Sequence, residues 1–196
     1  MDLNGLPQTV QNFINDTIQY RESGNCLDYD TCQKILEYAA DTGSQKLTGL
    51  GLYYLAECYW QKGEYENTMQ CLTESVGCLK NTQMYELLAK AHNMMGAVSD
   101  RKNNRMLALS SYYNSLKYAE KYHYYYIQGM AESNIAYTLV RMRLRQEAIQ
   151  HYRIALDCYD KSEKTYQLNY NRINCMIECG CCHMYLGEME EALQLW

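Results

Sequence analysis

The sequence predicts an all-α chain folded as an α-α superhelix of about five antiparallel helix pairs. Three observations carry that prediction. A set of small and large residues recurs every 40 positions through the middle of the chain. Within each copy the apolar residues fall three and four apart, the spacing of a buried helical face. One proline and 11 glycines among 196 residues leave too little punctuation for many short strands and turns.

The units follow in order, over residues 8–43, 44–80, 81–121, 122–161 and 162–196. The first is degenerate: Tyr29, Cys32 and Leu36 match later slots, and Tyr20 occupies the place of a small residue. The second carries Leu55, Ala56, Tyr59, Gly63, Tyr65, Thr68 and Leu72. In the third these slots hold Met95, Gly96, Ser99, Asn103, Arg105, Ala108 and Tyr112, and in the fourth Ile135, Ala136, Leu139, Arg143, Arg145, Ala148 and Tyr152. The fifth starts 44 residues later with Cys179, Gly180, His183, Gly187, Met189, Ala192 and Trp196. Small residues at Ala56, Gly96, Ala136 and Gly180 let the second helix of a pair approach, and Ala108, Ala148 and Ala192 do the same from the other side. The large residues fill the space around that contact. Gly63 and Gly187 sit where the chain must reverse. Ser44, Thr82 and Ser162 are the expected N-caps of successive first helices.

Gly63-Glu64-Tyr65-Glu66, Arg145-Gln146-Glu147-Ala148-Ile149 and Gly187-Glu188-Met189-Glu190-Glu191-Ala192 resemble the turn and second-helix opening of the tetratricopeptide repeat (TPR). The resemblance covers residues 8–196 and implies a helix–turn–helix solenoid that binds protein or peptide partners. The period of 40 exceeds the usual ~34 and the proline that commonly ends a unit is absent, so the nearer likeness is to the long-helix variety found in bacterial regulators. Trp196 falls mid-way through the second helix of the last unit, which leads to the expectation that the array is the N-terminal part of a longer protein or that another chain covers its end. Such arrays resemble sensor regions ahead of output domains, as in bacterial GGDEF-type diguanylate cyclases.

Composition narrows the function. With 18 basic and 23 acidic residues the net charge is −5, which disfavours a nucleic-acid partner. At 47% hydrophobic and 21% charged residues the chain builds a core, and disorder is excluded as its main state. Met1 to Pro7 lack the basic start and apolar run of a secretory signal, and no stretch approaches the ~18 apolar residues of a membrane span. A soluble cytoplasmic protein with no membrane partner is expected. In a reducing compartment, the ten cysteines read as small apolar packing residues.

First helices of stacked pairs line the concave side, where partner peptides lie. The predicted partner-binding residues are Tyr53, Tyr54 and Glu57 from the second unit, Asn93 from the third, and Ser133, Asn134 and Tyr137 from the fourth. Asn93 and Asn134 are singled out because one amide both donates to and accepts from an extended backbone. Met94, Ala97, Ile177, Glu178 and Cys181 fall in the same inward slots. Arg101, Lys102 and Arg105 in one turn and Arg141, Arg143 and Arg145 in the next form a basic ridge that suits an acidic segment or phosphate, with Arg101 and Arg141 its leading members. Cys175, Cys179, Cys182 and His183 share a helical face, but Cys179 and His183 occupy core slots, so packing is expected there and no metal or other cofactor.

No glycine-rich phosphate loop, H-E-x-x-H or G-x-S-x-G motif is present, so no catalytic activity is expected of these residues. A protein- or peptide-binding module is the leading reading. A small-molecule- or metal-responsive sensor built on the cysteines or the ridge is the first alternative. The second is a structural spacer that self-associates, as a homodimer, near Trp196.

Overall fold

The computed structural model describes residues 7–25 and 27–195, and 83% of these described residues are helical, with no strand among them. The helices are α1 (Gln8–Glu22), α2 (Tyr29–Thr42), α3 (Gln45–Gln61), α4 (Tyr65–Leu79), α5 (Tyr85–Arg101), α6 (Arg105–Lys121), α7 (Tyr125–Arg141), α8 (Arg145–Asp160), α9 (Tyr166–Leu186) and α10 (Met189–Leu195). Trp196, on which the expected open end rests, lies outside the described residues. No described helix is long and apolar enough to cross a membrane.

The chain forms two compact units, residues 1–91 and 92–196, divided within α5. In the first, α3 packs between α2 and α4. Its centre is Ile35, Leu47, Leu72 and Leu79, all fully buried. Gly49 lies directly on Leu79: a Cβ there would come within 2.5 Å of that side chain. Ser75 tightens the same crossing by donating from Oγ to the Gly49 carbonyl at 2.7 Å.

In the second unit α7 packs on α6 and α8, and α9 on α8 and α10. Here tyrosine supplies the bulk. The Tyr112 ring covers Gly96, where a Cβ would meet it at 2.4 Å, and the Tyr159 ring covers Gly129, where a Cβ would meet it at 2.7 Å. Ala108, Ala136, Ala148 and Ala192 are fully buried, as close helix approach requires. Gly49 and Gly129, two repeats apart, form a second small-residue slot, facing Leu79 and Tyr159, which are likewise 80 apart.

The turns keep the same beat. Gly63, Asn103 and Arg143 have φ of 75°, 62° and 68°, and Gly187 has 81°. The turns between pairs repeat it at Gly43, Gln83 and His123, with φ of 63°, 62° and 57°. A left-handed residue stands in each of these turns, and glycine is not supplied at all of them. That position costs an L-residue about 1 kcal/mol. Arg143→Gly should therefore leave the melting temperature unchanged or raise it by a few degrees, while Gly63→Ala should lower stability by about 1 kcal/mol. Calorimetry of the two variants checks the pair, and equal shifts of the same sign would contradict it.

Ser44 caps α3, accepting from Leu47 N at 3.4 Å. Thr82 and Ser162 do not cap the helices that follow them. Their hydroxyls donate to Leu79 O and Cys158 O, both at 2.8 Å, and so satisfy the ends of the preceding helices. Thr165 caps α9 instead, accepting from Leu168 N at 3.1 Å.

Candidate functional site

In the second unit α5 and α7 lie side by side, joined by two polar links. Asn134 donates from Nδ2 to Asn93 Oδ1 at 3.1 Å, so the two singled-out asparagines are in contact. Two turns further on, Arg141 closes on Asp100: Nη1 lies 2.9 Å from Oδ2 and donates to the Asp100 carbonyl at 3.2 Å. Arg141 Nη2 reaches Asn103 Oδ1 at 3.4 Å, which brings the third and fourth turns together. Asp100 is buried, so this carboxylate is held by its guanidinium partner inside the packing.

Tyr137 stands on this face with 46% of its surface exposed, and the Arg141 guanidinium lies 6.0 Å from its ring centre. The half-buried amides, the exposed ring and the guanidinium make a mixed polar and aromatic strip. After the Asn93 to Asn134 bond, Asn93 Nδ2 retains donor capacity and Asn134 Oδ1 acceptor capacity, the pair an extended peptide backbone needs.

Other predicted residues lie elsewhere. Ser133 is turned toward Tyr159 and Cys175, whose side chains it bonds. Tyr53 and Tyr54 belong to the first unit and are core residues, 8% and 7% exposed, because α3 is enclosed by α2 and α4. Tyr53 donates from Oη to Glu57 Oε1 at 3.1 Å, so Glu57 is tied to its own helix. On the ridge, Arg101, Lys102 and Arg143 are exposed, Arg141 is committed to Asp100, and Arg145 stacks on Tyr185 at 4.4 Å.

Cys175, Cys179 and Cys182 are buried in the second core with Tyr152 and Tyr159. Burial pushes the Cys175 thiol up to about 12 and the Cys182 thiol to about 11, which keeps both protonated and unreactive at neutral pH. His183 is buried and bonds through Nδ1 to Glu188 Oε2 at 2.6 Å. No group of three or more His, Cys, Asp or Glu side chains gathers as a metal site among the described residues.

One polar cluster has no forewarning in the repeat. Glu132 is buried on α7 and lies 2.6 Å from His151 Nδ1 on α8. The pair floors an open cleft of about 660 Å³ walled by Tyr113, Leu116 and Lys117 of α6. Neither residue repeats at 40, so only its isolation as a charged residue in an apolar slot could have signalled Glu132.

No family model matches the chain. No curated protein matches its sequence. Solved structures do match its shape. BtubC from P. vanneervenii superposes with a TM-score of 0.69 at 13% identity, over 96% of this chain and 71% of that one. MamA from Desulfovibrio magneticus RS-1 gives 0.64 at 12% identity, over 97% and 93%. A Podosopora anserina putative kinesin light chain with nearly identical TPR-like repeats gives 0.63 at 13% identity, over 97% and 93%. The fold is a TPR-like solenoid. At these identities the likeness fixes architecture, and the TPR-like pairs explain why Gly96 and Gly129 must stay small.

Proposed function

We propose that this TPR-like chain is a protein-interaction module that takes an extended peptide along the α5 and α7 face, and that it serves as a regulatory or sensor element in signalling. The observation that carries the reading is the Asn93 to Asn134 contact beside exposed Tyr137, an arrangement that leaves one amide donor and one amide acceptor next to an aromatic surface. Resemblance to the sensor regions of bacterial signalling proteins supports the regulatory role. The residues hold no recognisable catalytic constellation, and non-catalytic recognition accounts for what the face offers.

Random linear peptides displayed on phage and selected on the purified chain test the reading. A selected peptide should lose about tenfold in affinity with either Asn134→Ala or Tyr137→Ala, an effect of about 1.4 kcal/mol each. Unchanged affinity for both variants would remove this face as the peptide site.

A further inference from the structure

The cleft over Glu132 is lined by groups that the peptide face does not use. It lies within the second unit, and Glu132 sits about 200° around α7 from Asn134, so the two surfaces are on opposite sides of that helix. One wall comes from a single side of α6, where Tyr113, Leu116, Lys117, Glu120 and Lys121 are related by three- and four-residue spacings. His151 of α8 stands across from it.

The floor is only half satisfied. Glu132 is 4% exposed and meets His151 with one of its two oxygens, Oε2 lying 2.6 Å from Nδ1. A carboxylate accepts, so Nδ1 carries the hydrogen of that bond. Neither Glu132 Oε1 nor His151 Nε2 has a partner among the described residues, and neither is sealed from solvent. The imidazole therefore fixes the carboxylate from one side and leaves an acceptor oxygen open at the foot of the cleft.

Packing does not call for this pair. The Glu132 slot holds Leu52 two units earlier and Met176 one unit later, so an apolar side chain serves the position. A buried ion pair is commonly replaced by apolar residues without loss of stability, which leaves stability a poor reason for keeping a charge there. A carboxylate with a free oxygen under an open cleft is placed to receive a donor from a ligand.

The walls say what kind of ligand. Two lysines and two glutamates line the cleft, so a ligand of one sign loses to one pair what it gains from the other. A ligand that carries both signs gains from both. The negative group with the free oxygen is at the floor, and the exposed Lys117 and Lys121 are on the rim. An ammonium group pointing down and a carboxylate pointing up satisfy them together. Tyr113, 51% exposed, offers a flat aromatic surface beside them. At about 660 Å³ the cleft falls in the ~300–1,000 Å³ range of small-ligand sites.

We propose that this cleft binds a free α-amino acid, with its ammonium group on Glu132 Oε1, its carboxylate between Lys117 and Lys121, and an apolar or aromatic side chain against Tyr113. His151 is a positioning residue that holds the Glu132 carboxylate. The proposal stands on residues separate from the α5 and α7 face and does not depend on the peptide reading.

Equilibrium dialysis of the whole chain against radiolabelled L-phenylalanine, and separately L-leucine, tests it at neutral pH. At least one of them should bind at one molecule per chain with a dissociation constant of about 1 mM or tighter. Its α-amide and its N-acetyl derivative each lack one of the two charges, and each should compete at least tenfold more weakly than the free amino acid. Glu132→Gln keeps the shape of the floor and removes its charge, and should weaken binding at least tenfold. Lys117→Met with Lys121→Met, at two exposed positions, should weaken it at least fivefold with far-UV circular dichroism unchanged. No saturable binding of either amino acid up to about 10 mM would overturn the proposal. Equal competition by the α-amide would overturn it as well, because the cleft would then read only an amine, as at the N-terminus of a peptide. A Glu132→Gln variant that melts earlier but binds as before would reduce the Glu132 and His151 pair to a link between α7 and α8, and the proposal would fall. Should Glu132→Gln not fold, the lysine pair decides, and an unchanged dissociation constant counts against the site.

Discussion

Replacing Gly129 by valine should cost the protein about 3 kcal/mol and lower its melting temperature by about 6–12 °C. A Cβ at this position would meet the Tyr159 ring at 2.7 and 2.8 Å and the Ala155 carbonyl at 3.2 Å. The ring cannot swing aside, because Tyr159 is 1% exposed and enclosed by the second core. The carbonyl belongs to α8, so relief requires the two helices to part. Adding β-branching inside a helix costs further side-chain entropy. Gly77→Ala is the matched control: it sits on α4 with nothing within 4 Å of its Cβ, so the change should stabilise by about 1 kcal/mol through helix propensity alone. Thermal melts of the two variants decide the matter. Equal effects would mean that close approach at Gly129 does not hold α7 to α8.

That contrast also shows which parts of the molecule are legible from residue order. A slot filled by Ala56, Gly96, Ala136 and Gly180 is visible because each small residue recurs beside a large one at a fixed interval. The slot at Gly49 and Gly129 obeys the same period, but it is masked because the residues that cover it, Leu79 and Tyr159, differ widely in volume. Glycine marks the turn positions at Gly63 and Gly187, and at Asn103 and Arg143, which take the same left-handed angles, only the repeat period points to them.

The candidate site divides along a different line. Asn93 and Asn134 meet because each belongs to a first helix at nearly the repeat distance, and stacking brings equivalent positions together. Tyr53 and Tyr54 defeat the same reasoning. Helix α3 is covered on two sides, by α2 and α4, so both rings are buried and pack edge to face on each other. Ser133 is next to Asn134 in sequence and points across to Tyr159 and Cys175. Arg141 with Asp100 joins two first helices and Glu132 with His151 the two helices of one pair, and nothing in the period foretells a pair whose members occupy different slots.

The buried thiols and phenols lead to the second large effect, a loss of stability in alkali. Burial raises the Cys71, Cys158 and Cys182 thiols to about 11 and Cys175 to about 12, from an ordinary value of 9.0. Tyr112, Tyr152 and Tyr159 are raised by the same cause from 10.0. These groups are neutral when protonated. Below pH 9 the folded and unfolded chains both keep the protons, and the groups contribute no pH dependence. Above pH 9 the unfolded chain releases thiol protons that the folded chain retains, so stability falls as pH rises. The fall steepens past pH 10, when unfolded tyrosines ionise, and relents for the first three thiols near pH 11. Each thiol removes about 1 kcal/mol over the pH unit above its unfolded value, so four of them at pH 10 imply a drop in melting temperature of about 8–16 °C relative to pH 8. Reductant must be present throughout, because the Cys32 and Cys58 sulfurs are only 3.7 Å apart and would be drawn toward a disulfide as thiolate forms. Cys158→Ala should make the alkaline slope shallower by one thiol's share while lowering stability at pH 7. A melting temperature that stays level from pH 8 to 10.5 would mean that these side chains ionise as freely in the folded protein as in water, and the dry tyrosine and cysteine core of the second unit would have to be abandoned.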